Sequence, residues 1–218
     1  MKLYSYFRSS CAHRVRIALN LKEIDYDIVA IHLVKDGGQQ NAKEYSKLNP
    51  MNQVPFLEID EKNGLAQSVA IVNYIDRTYP VPPLYPANPY QRALVEQFIE
   101  NFNAGIQPLQ NLSVTNALTS MIGASEAQVK DWVKHWISKG MTAAEAILAK
   151  HAGKYSFGDQ ITAADAFLVP QVFSSLRFEV DLKKLTTVCR VFDNCMKHEA
   201  FIQADPFHQP DTPADLRK

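Results

Sequence analysis

Tyr79-Pro80-Val81-Pro82-Pro83-Leu84-Tyr85-Pro86 divides the chain. Four prolines in seven residues can neither continue a helix nor donate to a sheet, so the stretch reads as an extended linker. On its N-terminal side, short apolar runs alternate with helical patterns. Leu3-Tyr4-Ser5-Tyr6 reads as a strand, Val15, Ala18, Leu19 and Lys22 fall at helical spacing, and residues 26–33 read as a second strand. Val54-Pro55-Phe56-Leu57-Glu58-Ile59 reads as a third, followed by a turn at Asp60-Glu61-Lys62-Asn63-Gly64. Residues 68–79 carry apolar side chains at 69, 71, 72 and 75, a helical period. Strand, helix and strand in such short order imply a right-handed parallel crossover. On the C-terminal side the helical period dominates. Asn88-Pro89 is an N-cap residue followed by proline at the first helical position. Leu94, Phe98 and Phe102 then recur at every fourth residue. Ser125-Glu126-Ala127-Gln128 is a capping box that opens a helix with Val129, Trp132, Val133, Trp136 and Ile137 on one face. Thr162-Ala163-Ala164-Asp165 resembles a second box. The expected organisation is an α/β domain over residues 1–80, a linker over 81–87 and an all-helical domain over 88–218.

A chain of 218 residues buries a core without disulfides or metal staples. Its 46% hydrophobic and 21% charged residues exclude a disordered or collagen-like protein. Lys+Arg and Asp+Glu both number 23, so the basic excess of a protein that grips phosphate backbones is missing. No apolar run reaches the ~18 residues of a membrane span, and the first residues lack the apolar core of a secretion signal. Three cysteines, an odd and sparse set, fit a reducing compartment, and the cytoplasm is the expected location.

Cys11 follows the first strand and lies at the expected N-terminus of the first helix, after Ser9 and Ser10. Unpaired N–H groups and the positive end of the helix dipole favour an anion there, so a thiolate is stabilised, whether it belongs to Cys11 or to a ligand. Simple helix capping by these residues is an equal alternative. Arg14 occupies the place where a dithiol redox motif would carry its second cysteine, which argues against a thioredoxin-type cycle. Cys189 and Cys195 are about 9 Å apart along one helix, too far to bridge, and read as small core residues. The six histidines show no zinc-ligand spacing, so no metal is expected. Val54-Pro55 in a strand-like run is an edge-strand proline or a cis bond that presents the Val54 backbone to a ligand. Ser68 caps the next helix, or with Gln67 receives a carboxylate at that helix N-terminus.

The run Arg8-Ser9-Ser10-Cys11-Ala12-His13-Arg14-Val15-Arg16-Ile17-Ala18-Leu19 resembles the active-site signature of the zeta-class glutathione transferases. Lys35-Asp36-Gly37-Gly38-Gln39-Gln40, Leu48-Asn49-Pro50, Gln53-Val54-Pro55 and Gln67-Ser68 are similar too. So are Gly105-Ile106-Gln107-Pro108-Leu109-Gln110-Asn111-Leu112, Val169-Pro170-Gln171-Val172 with Arg177-Phe178, and Gln209-Pro210-Asp211-Thr212-Pro213. The resemblance spans essentially the whole chain. Ala12 and His13 depart from the Ser and Trp often found there, and the turn at 61–64 is one residue longer; both changes are expected to spare the chemistry.

The resemblance implies a thioredoxin-like first domain that binds glutathione and an all-α second domain that walls off the second substrate, the glutathione transferase fold. It implies Ser9, Ser10 and Cys11 as the catalytic set, with Ser9 donating to the glutathione sulfur. Gln40 would hold the glycyl end, Val54 would pair with the cysteinyl backbone, and Gln67 and Ser68 would hold the γ-glutamyl carboxylate. Gln107 and Arg177 would serve a small dicarboxylate substrate. The implied activity is glutathione-dependent cis–trans isomerisation of maleylacetoacetate to fumarylacetoacetate, a step of tyrosine and phenylalanine catabolism, by a homodimer that engages neither nucleic acid nor membrane. Maleylpyruvate isomerisation, a Cys11-dependent reduction and a non-catalytic interaction module are the alternatives.

Overall fold

The computed structural model describes residues 1–217. In the first unit β1 (Lys2–Ser5), α1 (Ser10–Leu21) and β2 (Asp27–Ala30) are followed by α2 (Lys43–Leu48), β3 (Phe56–Glu58), β4 (Gly64–Ala66) and α3 (Ser68–Thr78). The sheet order is β2-β1-β3-β4; β1 pairs with β2 in parallel, and β3 is antiparallel to both its neighbours. The strand–helix–strand crossover expected from the sequence is the β1–α1–β2 unit. Two strands are shorter than their apolar runs suggest. β2 stops at Ala30 because His32 turns aside to exchange bonds with Gln39: its N–H donates to Gln39 Oε1 (2.8 Å), and its carbonyl accepts from the Gln39 N–H (2.9 Å). β3 begins only after Pro55, which has no N–H for the ladder.

α1 is buried on nearly every side, which explains its weak amphipathic pattern: Ala12, Val15, Ile17, Ala18 and Leu19 are fully enclosed, and so are Arg14 and Arg16. Arg16 donates to the Ala204 carbonyl (3.1 Å), Ser5 Oγ (3.1 Å) and the Phe7 carbonyl (3.2 Å). Burial pulls its pKa down to about 10, which leaves it a cation at neutral pH. Lys22, just past α1, is enclosed against Asp76 of α3 (2.8 Å) and donates to the Tyr79 and Pro82 carbonyls, while the Leu84 N–H donates to the same Asp76 oxygen (2.8 Å). One buried ion pair thus ties the proline-rich stretch to the ends of two helices.

The second unit is helical: α4 (Pro89–Asn103), α5 (Gln107–Gln110), α6 (Leu112–Ile122), α7 (Glu126–His151), α8 (Ala163–Arg177) and α9 (Thr186–Cys195). Asn88 caps α4 by accepting from Tyr90 and Gln91, and the Ser125/Gln128 box forms in both directions. The core gathers Phe98 and Phe102 with Val133, Ile137, Met141 and Phe167. At Gly140 a Cβ would lie 2.3 Å from Ile106 Cδ1, so α7 carries glycine where the segment before α5 presses against it. Asp165, fully buried, accepts from the Ser156 and Thr162 N–H groups (both 2.8 Å). Burial raises its pKa, and these hydrogen bonds oppose the rise.

Contacts divide the chain into Met1–Leu84 with everything from Met196 onward, and Tyr85–Cys195. The end of the chain, which the sequence reading assigns to the helical domain, therefore packs with the α/β unit. α10 (Glu199–Ala204) lies on α1, held by Arg16 to the Ala204 carbonyl and by Asn20 Nδ2 to the Ala200 carbonyl (3.0 Å). Among the described residues no helix is long and apolar enough to cross a membrane.

Candidate active site

Strand register brings the first-unit candidates to one end of the sheet. Tyr4 of β1 faces Phe56 of β3, so the next residues of β1 run toward Val54. Phe56 faces Ala66 of β4, so Gln67 and Ser68 come alongside Val54 from the other side. Beneath them lies an apolar floor of Tyr6, Phe7, Tyr45, Val54 and Phe56, with Leu33, Ala66 and Leu216 packed against it.

Ser9 is the N-cap of α1; its Oγ accepts from the Ala12 N–H (3.2 Å). That bond uses a lone pair, and among the described residues nothing receives the hydroxyl proton. Ser10 and Cys11 are the first two helical residues, and Cys11 is a half-buried free thiol. No acidic residue stands in the first turn of α1, so the positive end of its dipole is uncompensated. His13, enclosed in the next turn, has its pKa driven well below the usual value by burial first and by the Arg16 charge second, and stays neutral.

Gln67 precedes α3 at φ 70°, a conformation that non-glycine residues rarely adopt, and its exposed side chain makes no capping bond. Ser68 is buried, and its Oγ accepts from Arg14 Nη1 (3.1 Å). A carboxylate at this point would meet a helix N-terminus and a buried guanidinium. Arg14 is the residue that sequence reasoning missed here. Its signal was the pair of arginines, Arg14 and Arg16, in a helix that holds no Asp or Glu.

Gln40 donates to the Leu33 carbonyl (3.3 Å), while its Oε1 is buried with no hydrogen-bond partner. Gly38, at φ 93°, makes room for that amide: a Cβ there would lie 2.5 Å from Gln40 Nε2. The Val54–Pro55 bond is cis, and Val54 makes no hydrogen bond to another described residue. The Gln53 carbonyl beside it is pinned by the Tyr45 hydroxyl and by Asn49 Nδ2, both at 2.7 Å. Unpaired polar groups at Gln40 and on the Val54 backbone suit a peptide-like ligand such as glutathione, and Gln67 and Ser68 add a helix N-terminus with Arg14 behind it.

In the second unit Gln107 opens α5 and accepts from Gln110 (2.9 Å), which in turn exchanges amide bonds with the buried Gln171 of α8. Arg177 ends α8, exposed, with its guanidinium 5.2 Å from the Phe178 ring centre. The glutathione-side candidates thus lie in one unit, and Gln107 and Arg177 in the other.

Two family models match the chain: the glutathione S-transferase N-terminal domain over residues 1–77 and the glutathione S-transferase C-terminal domain over residues 114–206. The chain belongs to the glutathione S-transferases. Within them it stands with the zeta class. It is 48% identical to the maleylacetoacetate isomerase of Mus musculus, over 99% of this chain and 96% of the mouse protein. A maleylpyruvate isomerase structure, described as a bacterial zeta-class glutathione S-transferase, superposes with TM-score 0.94 at 40% identity, covering 98% of this chain and all of that one. The maleylacetoacetate isomerase of Anaeromyxobacter dehalogenans 2CP-1, solved with glutathione in its active site, superposes with TM-score 0.87 at 37% identity, over 97% of each chain.

Proposed function

We propose that this chain is a glutathione-dependent cis–trans isomerase that converts maleylacetoacetate to fumarylacetoacetate. The observation that carries the reading is Ser9: its oxygen caps α1, and its proton remains available at the positive end of that helix. Glutathione, when bound, supplies the nucleophilic sulfur whose addition to the conjugated alkene, and later departure, lets the cis bond become trans. The chain's own part is to hold the tripeptide and to favour its thiolate. A free thiol has a pKa of about 8.5, and lowering it by roughly two units requires about 2.7 kcal/mol. A hydrogen bond to a charged group contributes about 1.5–3 kcal/mol. A helix terminus adds about 0.3–1 kcal/mol, so Ser9 and α1 together suffice. Cys11 has the same helix end beside it and is assigned a neighbouring role. Homodimeric assembly and a cytoplasmic location belong to the same proposal, supported by the family resemblance and by the sparse free cysteines.

Glutathione at millimolar concentration is expected to release or absorb heat on binding and to raise the melting temperature. At a hundred times its Kd the stabilisation amounts to about 2.7 kcal/mol. No heat and no shift in calorimetry would remove the cofactor assignment.

The substrate is a dianion, and Arg177 is the proposed partner of its far carboxylate, since a guanidinium offers a charged planar fork. Arg177→Ala is expected to lower kcat/KM on maleylacetoacetate by about 1–3 kcal/mol, the smaller end reflecting the exposure of the side chain. Glutathione affinity is expected to stay unchanged, and Arg177→Lys to recover part of the loss. Steady-state kinetics with each substrate varied in turn decides this; equal loss of glutathione binding would rule it out. The maleylpyruvate isomerase similarity supports a second reading with the smaller acid, and parallel assays of the two acids on the purified protein separate them.

A further inference from the structure

The end of the chain reaches the loop that carries Ser9. The Phe7 N–H donates to Asp211 Oδ2 at 2.8 Å, across 204 residues of sequence. The carbonyl of the same residue accepts from Arg16 Nη2 at 3.2 Å. Both polar groups of Phe7 are thus held from outside the loop, one by the chain end and one by α1. Two residues on, the Ser9 N–H donates back to the Tyr6 carbonyl at 2.8 Å, so the turn that sets the Ser9 hydroxyl is built on a clamped Phe7.

Asp211 is itself fixed. Thr212, almost fully buried, donates to the Pro206 carbonyl (2.6 Å), and Gln209, also buried, donates to the Gln203 and Asp205 carbonyls (both 2.8 Å). Leu216 packs on the apolar floor that holds Phe7 and Val54. Arg16 joins the two anchors, since it also donates to the Ala204 carbonyl at the end of α10. The second carboxylate oxygen, Asp211 Oδ1, is buried with no hydrogen-bond partner. Burying an unsatisfied carboxylate oxygen is costly, and the bond from the Phe7 N–H and the attraction of the Arg16 charge oppose that cost.

We infer that Asp211 is a positioning residue for catalysis: through the Phe7 N–H it holds the Tyr6-to-Ser9 turn so that the Ser9 hydroxyl meets the glutathione sulfur. The inference rests on the glutathione reading above, and it assigns Asp211 no contact with either substrate. Misplacing a hydrogen-bond donor by a fraction of an ångström weakens its hold on a developing anion without removing the binding pocket.

The test is an ultraviolet thiolate titration of bound glutathione against pH, run beside steady-state kinetics. The wild-type chain is expected to show a thiolate midpoint below that of free glutathione. Asp211→Ala is expected to raise that midpoint by about one pH unit, a tenfold smaller thiolate fraction on the acid side of both midpoints. Glutathione KM is expected to stay within about threefold while kcat falls. Asp211→Asn, whose amide oxygen can still accept from Phe7, is expected to restore most of the midpoint. Asp211→Glu moves the acceptor by one methylene and carries the test where the alanine variant does not fold; a smaller rise in the same direction is expected. Wild-type midpoints in the folded alanine and glutamate variants would overturn the assignment, and so would a kcat loss in them without any midpoint change. Absence of a lowered midpoint in the wild-type chain would instead remove the glutathione reading, and this inference with it.

Discussion

Ser9→Ala is expected to cut isomerase turnover at neutral pH by about 10- to 30-fold, and Cys11→Ala by less than about threefold. Losing the hydroxyl returns the bound thiol toward its ordinary pKa of about 8.5, where only a few per cent is thiolate at pH 7. The sign of the pH dependence follows. As pH rises past that ordinary value, thiolate forms without help, so the defect is expected to shrink in alkaline buffer and to be largest below pH 7. Alanine also removes the α1 cap, since Ser9 Oγ accepts from the Ala12 N–H, at a cost to stability of about 1 kcal/mol. Ser9→Asp separates the two effects. Aspartate caps a helix as well as serine does, yet it sets a negative charge against the sulfur, so stability is expected to hold while activity is lost. A rate profile from acid to alkaline pH for all three variants decides the assignment. If Cys11→Ala abolishes isomerisation and Ser9→Ala is mild, the Cys11-dependent chemistry is the correct one.

Lys22→Met is expected to destabilise the fold by about 3–5 kcal/mol, the range for breaking a buried ion pair by removing one partner. The lysine nitrogen is enclosed with Asp76 (2.8 Å) and the carbonyls of Tyr79 and Pro82. Methionine fills much of the same space but leaves the Asp76 carboxylate nearly buried, with the Leu84 N–H still donating to it but no cation beside it. Removing the aspartate as well, in Lys22→Met with Asp76→Leu, is expected to recover part of the loss, because no orphaned charge remains. Urea unfolding of both variants against wild type is the measurement; a loss under about 1 kcal/mol in the single variant would show that water reaches the pair.

The candidate residues that could be read in the sequence are those whose chemistry is local. Ser9 before a helix start and the Ser125/Gln128 box act on backbone groups within three residues, so spacing alone locates them. Local reasoning also put Lys22 at helical spacing with Val15, Ala18 and Leu19, but it supplied no reason for a cation there. The reason is Asp76, 54 residues on, together with carbonyls of the proline-rich stretch. Arg14 and Ser68 are separated by the same 54 residues, and their bond carries no periodic signature in either helix.

The sequence by itself determined the α/β start, the proline-rich break and the helical remainder, because helix and strand periods and the missing N–H of proline act over a few residues. It also pointed to the start of α1, as a place for an anion or as a simple helix cap. Only the tertiary structure decided where the strands end, as when His32 turns to Gln39, and that the chain from Met196 onward returns to the first unit. The same holds for Asp211 meeting Phe7. Such contacts are set by shape, burial and the need to pair enclosed polar groups, and these become definite only once distant segments are packed together.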